Sequence, residues 1–141
     1  MKKIIFLAII FGALLLSSPL FLLAQETTGG EGVQVSEKTL TMLPCLYLKK
    51  HIVTEGVFLD VSSTLLNDWF HDKNTRFDPK EYLNFRTMGN EMFHYFIKQE
   101  KAAIIPTLKT GDKITISGYV RSCADKTPWV EVDSVEKIPS E

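Results

Sequence analysis

The stretch from Thr110 to Arg121 constrains this chain more than any other. Gly111-Asp112 makes a turn, after which Ile114, Ile116 and Val120 alternate with Thr115, Ser117, Tyr119 and Arg121. Period two with β-branched residues at the apolar positions describes a strand with one buried face. Gly118 falls on that apolar face, where a missing side chain lets another backbone approach closely or the strand bend sharply. A second strand is expected from Trp129 to Val135, behind the turn residues Asp125 and Pro128.

Further strands are legible upstream. Tyr47 to Val61 is one long β-prone stretch with Gly56 in its middle, the position of a bulge or tight bend. Ser62 to Pro79 reads as a polar loop holding Trp69, Phe70 and Phe77, with one helical turn over Thr64 to Trp69. Tyr82 to Thr87 and Met92 to Lys98 read as two strands joined by Met88-Gly89-Asn90, whose Gly-Asn is hairpin chemistry. Gln99 to Ile105 is rich in helix formers, and Pro106 stops that helix. The order is a long bent strand, a hairpin, a short helix, a strand and a strand.

The N-terminus is of another kind. Lys2-Lys3 precede an apolar run from Ile4 to Leu16, followed by Ser17-Ser18-Pro19 and Leu20 to Ala24. A basic region, an apolar region and a small residue before Gln25 make residues 1–24 a secretory signal peptide, cut near Ala24. The alternative is a retained membrane anchor over residues 4–24, a run long enough to span a bilayer. Residues 25–39, made of Gly, Glu, Thr and Ser, are expected to be a flexible linker, and residues 40–141 the folded domain. Removing residues 1–24 leaves 14 basic residues against 17 acidic ones, a net of −3. A general nucleic-acid binder carries a basic footprint, which the chain as a whole lacks.

Taken together, the segments resemble an OB-fold, a five-stranded Greek-key barrel. Val53-Thr54-Glu55-Gly56-Val57, Leu108 through Gly118, and Pro128 through Glu136 carry the resemblance, which covers about residues 44 to 138. Small exported, periplasmic OB-fold proteins of bacteria are similar in layout. The expected fold is all-β with one short helix, an OB-fold-like barrel after an N-terminal signal peptide.

Cys45 and Cys123 are the two cysteines, and an even pair in an exported protein suggests a disulfide. The resemblance sharpens this, because it pairs the first and fourth strands antiparallel and brings the start of one near the end of the other. The alternative is two unrelated thiols.

Chemistry-bearing motifs are scarce. His51, His71 and His94 have no metal-ligand spacing, and Asp60, Asp68, Asp72 and Asp78 lack that of a calcium loop. Ser62 and Ser63 have no nucleophile-elbow context, and there is no glycine-rich phosphate cradle. No enzyme activity, metal or cofactor is therefore expected. The ligand-binding candidates are Tyr82, Arg86, His94, Phe96 and Lys98, which with Asn84 share the outward face of the hairpin if Leu83, Phe85, Phe93, Tyr95 and Ile97 point inward. Rings interleaved with cations are what an OB-fold uses to stack and hold a ligand. A slip of one residue would exchange the two faces. The competing reading, which is preferred, has Tyr82 and Phe96 covered by the preceding loop through Trp69 and Phe70, because a small domain needs its aromatics for core. The expected function is an exported, non-enzymatic binding module for a protein or glycan of the cell envelope. The alternative is a single-stranded nucleic-acid binder using the hairpin face, with membrane contact only if the N-terminal segment is retained.

Overall fold

In a computed structural model, the chain is described over residues 32–62, 69–72, 75–89 and 94–140, apart from the side chains of 69–72 and 125. The elements are β1 (Val33–Gln34), α1 (Glu37–Met42), β2 (His51–Val61), β3 (Trp69–Asp72), β4 (Thr75–Phe77), β5 (Tyr82–Thr87), β6 (His94–Lys98), β7 (Lys113–Ser122) and β8 (Trp129–Lys137). The main sheet runs β1-β2-β5-β6-β8-β7, and β7 pairs back onto β2, so β2, β5, β6, β8 and β7 close a five-stranded barrel. Within it only the β6–β8 pair is parallel. This is an OB-fold barrel, as the resemblance implied.

The alternation in β7 is realised in full: Ile114, Ile116, Gly118 and Val120 are buried between more exposed neighbours. Their partners are the inward residues Ile52, Phe58, Phe85, Tyr95, Ile97, Val130, Val132 and Val135, which form one continuous core. Gly118 lies at a register shift against β8, and a Cβ there would sit 2.3 Å from the Glu131 carbonyl oxygen and 2.8 Å from Val132 Cα. The missing side chain thus lets β8 close on β7. Gly56 marks the region where β2 changes partners: His51 to Val57 pair with β7, and Phe58 onward with β5.

Several expectations are corrected. The part of the 25–39 linker that is described is not loose. Val33–Gln34 pair in parallel with Ile52 and Val53, and Ser36 then caps α1 by accepting a hydrogen bond from the Thr39 amide. Leu40 of α1 belongs to the core. The buried Glu37 carboxylate accepts hydrogen bonds from Thr87 Oγ1 (2.7 Å) and the Tyr95 hydroxyl (2.5 Å). Glu37 also occupies the room left by Gly56, where a Cβ would lie 2.8 Å from its Oε1. Burial, and then the Glu37 charge, push the Tyr95 phenol well above its ordinary range.

The long strand starts at His51 rather than Tyr47. Pro44 begins a short 3-10 turn over Pro44–Tyr47, and Lys49 takes a left-handed conformation (φ 62°), so the chain turns before it extends. The helix expected over Gln99 to Ile105 is two single 3-10 turns, Gln99–Lys101 and Ile105–Thr107. Pro106 has no amide hydrogen to continue the helical ladder, and no side chain caps the start of either turn. These turns still deliver Ala102, Ile105 and Leu108 to the core. The α-helix found among the described residues is α1. The loop expected over Ser62 to Pro79 contains the β3–β4 hairpin, with Trp69 opposite Phe77. Most of the helical turn expected there, Thr64 to Asp68, lies outside the described residues, as do Met92, Phe93 and the signal-peptide segment.

Cys45 and Cys123 form a disulfide with a Cα–Cα separation of 5.2 Å. It ties the turn before β2 to the end of β7.

Candidate binding surfaces

The expected phase of the β5–β6 hairpin is the observed one. Phe85, Tyr95 and Ile97 are core residues and Leu83 packs on them, while Tyr82, Asn84, Arg86, His94, Phe96 and Lys98 lie on the other face. That face is largely occupied by the protein itself. Phe96 is 0% exposed, with the Phe77 ring of β4 stacked on it at 4.1 Å and Trp129 at 4.7 Å. Tyr82 meets Phe77 edge-on at 4.9 Å. The described cover comes from the preceding loop through Phe77, while the side chains of Trp69 and Phe70, the expected cover, lie outside the described residues. An aromatic ring in the middle of this satellite cluster is not available to stack an incoming base or sugar.

The arginine of that face is also engaged. Arg86 donates from Nε and Nη2 to the two carboxylate oxygens of Asp60 at 2.8 and 2.6 Å, a bidentate fork. The hydrogen bond from Arg86 holds the Asp60 carboxyl below its usual range. His94 is half-buried, edge-on to Trp129 at 5.5 Å, and Lys98 is half-buried at the end of β6. The five candidates therefore share a face, but the structure brings only Tyr82, His94 and Phe96 into one aromatic cluster.

A second surface lies on the outer side of β2, β7 and β8. The outward alternation of β7 brings Ser117, Tyr119 and Arg121 there, and β8 contributes Glu131 and Asp133. Tyr119 is 38% exposed, with the Arg121 guanidinium over its ring at 5.1 Å and the His51 imidazole against it at 4.7 Å. Glu131 is held from two sides, by Arg121 Nε at 2.6 Å and the Tyr82 hydroxyl at 2.8 Å. Burial, and then the hydrogen bond to Glu131, push the Tyr82 phenol up to about 12. On the other flank His51 Nε2 lies 3.3 Å from Asp133 Oδ2 and 3.3 Å from Ser117 Oγ, and Lys101 Nζ is 3.4 Å from Asp133 Oδ1.

Ser117, His51 and Asp133 are the residue types of a nucleophilic triad, but their geometry is a different one. A relay needs the carboxylate on one ring nitrogen and the hydroxyl on the other. Here both meet Nε2, while Nδ1 is buried with no hydrogen-bond partner among the described residues. His51 therefore does not couple Asp133 to Ser117. The group acts as a polar clamp beside Tyr119. No cluster of three metal-ligating side chains occurs among the described residues.

Sequence reading passed over this surface because its members are far apart in the chain and individually ordinary. The available signal was the alternation itself, which already placed Ser117, Tyr119 and Arg121 on the wet side of β7.

No family model matches the chain, and no curated protein matches it. Solved structures do show similarity. A protein from Leishmania major described as an aspartyl-tRNA synthetase aligns at 8% identity and a TM-score of 0.49, over 83% of this chain and 22% of that one. This chain thus spans about a fifth of that protein. The hypothetical protein YgiW from Escherichia coli aligns at 10% identity and a TM-score of 0.43, covering 78% of this chain and 95% of YgiW. A lipoprotein from Klebsiella pneumoniae, described as nucleic-acid-binding, aligns at 16% identity and a TM-score of 0.45, covering 79% and 99% of the two chains.

Proposed function

We propose that this chain is an exported, non-enzymatic OB-fold binding module that engages a protein or glycan of the cell envelope through the outer face of β2, β7 and β8. The observation that carries this reading is the occupancy of the β5–β6 face by the protein's own Phe77, beside an exposed Tyr119 in an electrically balanced polar surround. Arg121 is neutralised by Glu131, and Lys101 and Asp133 face each other. An exposed ring among fixed hydrogen-bonding groups suits a neutral polymer or a protein side chain better than a polyanion. Export is supported by Lys2-Lys3 with the following apolar run, and by the Cys45–Cys123 disulfide, which suits an oxidising compartment.

A single-stranded nucleic acid on the β5–β6 face is the rival. Its two best carriers are otherwise engaged, Arg86 by Asp60 and Phe96 by Phe77. The two readings separate in one experiment. A photoreactive phenylalanine in place of Tyr119, in the full chain expressed in intact cells, should give an envelope adduct that the same group at Val61 does not. Protease or glycosidase sensitivity then assigns its class. Salt-sensitive anisotropy of labelled single-stranded DNA or RNA, weakened by Arg86→Ala and not by Tyr119→Ala, would favour the rival.

A further inference from the structure

The segment from the end of α1 to the start of β2 exposes four large apolar side chains. Met42 is 69% exposed, Leu43 52%, Leu46 56% and Leu48 36%. The segment is not free to fold them away. Pro44 is buried beneath it, Cys45 is bonded to Cys123, and the Lys49 amide donates to the Val120 carbonyl at 2.8 Å. The Val120 amide in turn donates to the Lys50 carbonyl at 3.1 Å. The leucines are held outward by a covalent and hydrogen-bonded frame.

Charge follows the same stretch. Residues 38–50 contain Lys38, Lys49 and Lys50 and no aspartate or glutamate, in a chain with 17 acidic residues against 16 basic ones. Lys38 lies one helical turn before Met42, on the same face of α1. Lys50 reaches over the Tyr47 ring at 5.7 Å, and all three lysines are exposed. Aliphatic side chains interleaved with long cations match the boundary of a bilayer, where leucines enter the acyl region and ammonium groups stay with lipid phosphates.

We infer that Met42, Leu43, Leu46 and Leu48, with Lys38, Lys49 and Lys50, form a docking surface for an anionic phospholipid membrane. This surface adjoins the Tyr119 face at Lys50 and His51 and does not depend on what that face binds. Docking would lay the α1–β2 segment against the headgroups and hold the barrel at the bilayer surface.

The test uses the full chain in bicelles of phosphatidylcholine with phosphatidylglycerol, carrying a paramagnetic doxyl-labelled lipid. The methyl signals of Met42, Leu43, Leu46 and Leu48 should broaden strongly, and those of Val61, an exposed side chain ten residues further along β2 than His51, should not. In phosphatidylcholine alone the effect should shrink. Removing charge with Lys38→Gln and Lys50→Gln should lower the membrane partition constant about fivefold per lysine. Leu46→Ser should lower it with lipid of either charge. Equal broadening of Val61 and the patch, or none at the patch, overturns the inference. So do patch signals that move with protein concentration and ignore lipid, the mark of a second copy on this surface.

Discussion

Gly118 shows how much of this fold rests on a single missing atom group. Its Cβ would sit against the backbone of β8 rather than against a flexible side chain, so neither rotamer change nor local repacking relieves the contact. Gly118→Val should lower stability by about 3 kcal/mol or more, read as a large fall in the thermal midpoint by circular dichroism. Tyr82 carries a pH signature. Its phenol is raised to about 12 in the folded protein, whereas an unfolded tyrosine titrates near 10. A raised folded value means that the stabilisation is complete below about pH 10 and is lost between about 10 and 12. Urea midpoints measured across that window should fall, and Tyr82→Phe should remove part of the slope, leaving the part due to Tyr95. At this scale the sequence was informative wherever a residue's role depends on its neighbours in the chain: Gly118 stood out because alternation surrounds it. Glu37 did not, because a glutamate in a Gly-Glu-Thr-Ser stretch reads as solvated until Thr87 and Tyr95, 50 and 58 residues later, are folded around it.

Among the elements, the β3–β4 hairpin decides what the barrel can bind. Phe77 lies on Phe96, and both are nearly or fully buried with Trp129. Phe96→Ala should therefore cost about 3 to 5 kcal/mol of stability, the range for a buried phenylalanine, instead of acting as a silent binding-site change. Phe77→Ala should cost a similar amount, and urea unfolding of the two variants checks both. The double variant should cost less than the sum, because the two rings share one contact. The strands of the barrel were legible because period two runs the length of β7 and Gly89-Asn90 marks a hairpin between β5 and β6. The hairpin was hidden because β3 and β4 have four and three residues, too short for alternation to show. The short helix was placed after β6, where helix formers cluster, yet α1 formed before β2. There Ser36 supplies a cap and Leu40 a core contact, and tertiary packing outweighed propensity.

For the whole molecule, closure depends on partners distant in sequence. β2 pairs with β7, and the disulfide joins residues 78 positions apart. Opening that loop by reduction should lower stability by about 2 to 4 kcal/mol, visible as a lower thermal midpoint in reductant that Cys45→Ala with Cys123→Ala reproduces. The binding face proposed here was only half legible for the same reason, since Tyr119 and His51 meet only when β7 returns to β2. The late position of β8 has a bearing on how the protein is made. Synthesis proceeds from the N-terminus, so β2 emerges with neither β7 nor Cys123 yet in existence, and β8, which completes the barrel, follows the other four strands of it. Until Cys123 follows, the Cys45 thiol has not met its native partner, and crowding of nascent chains favours a bridge to another molecule over the loop that the folded barrel holds.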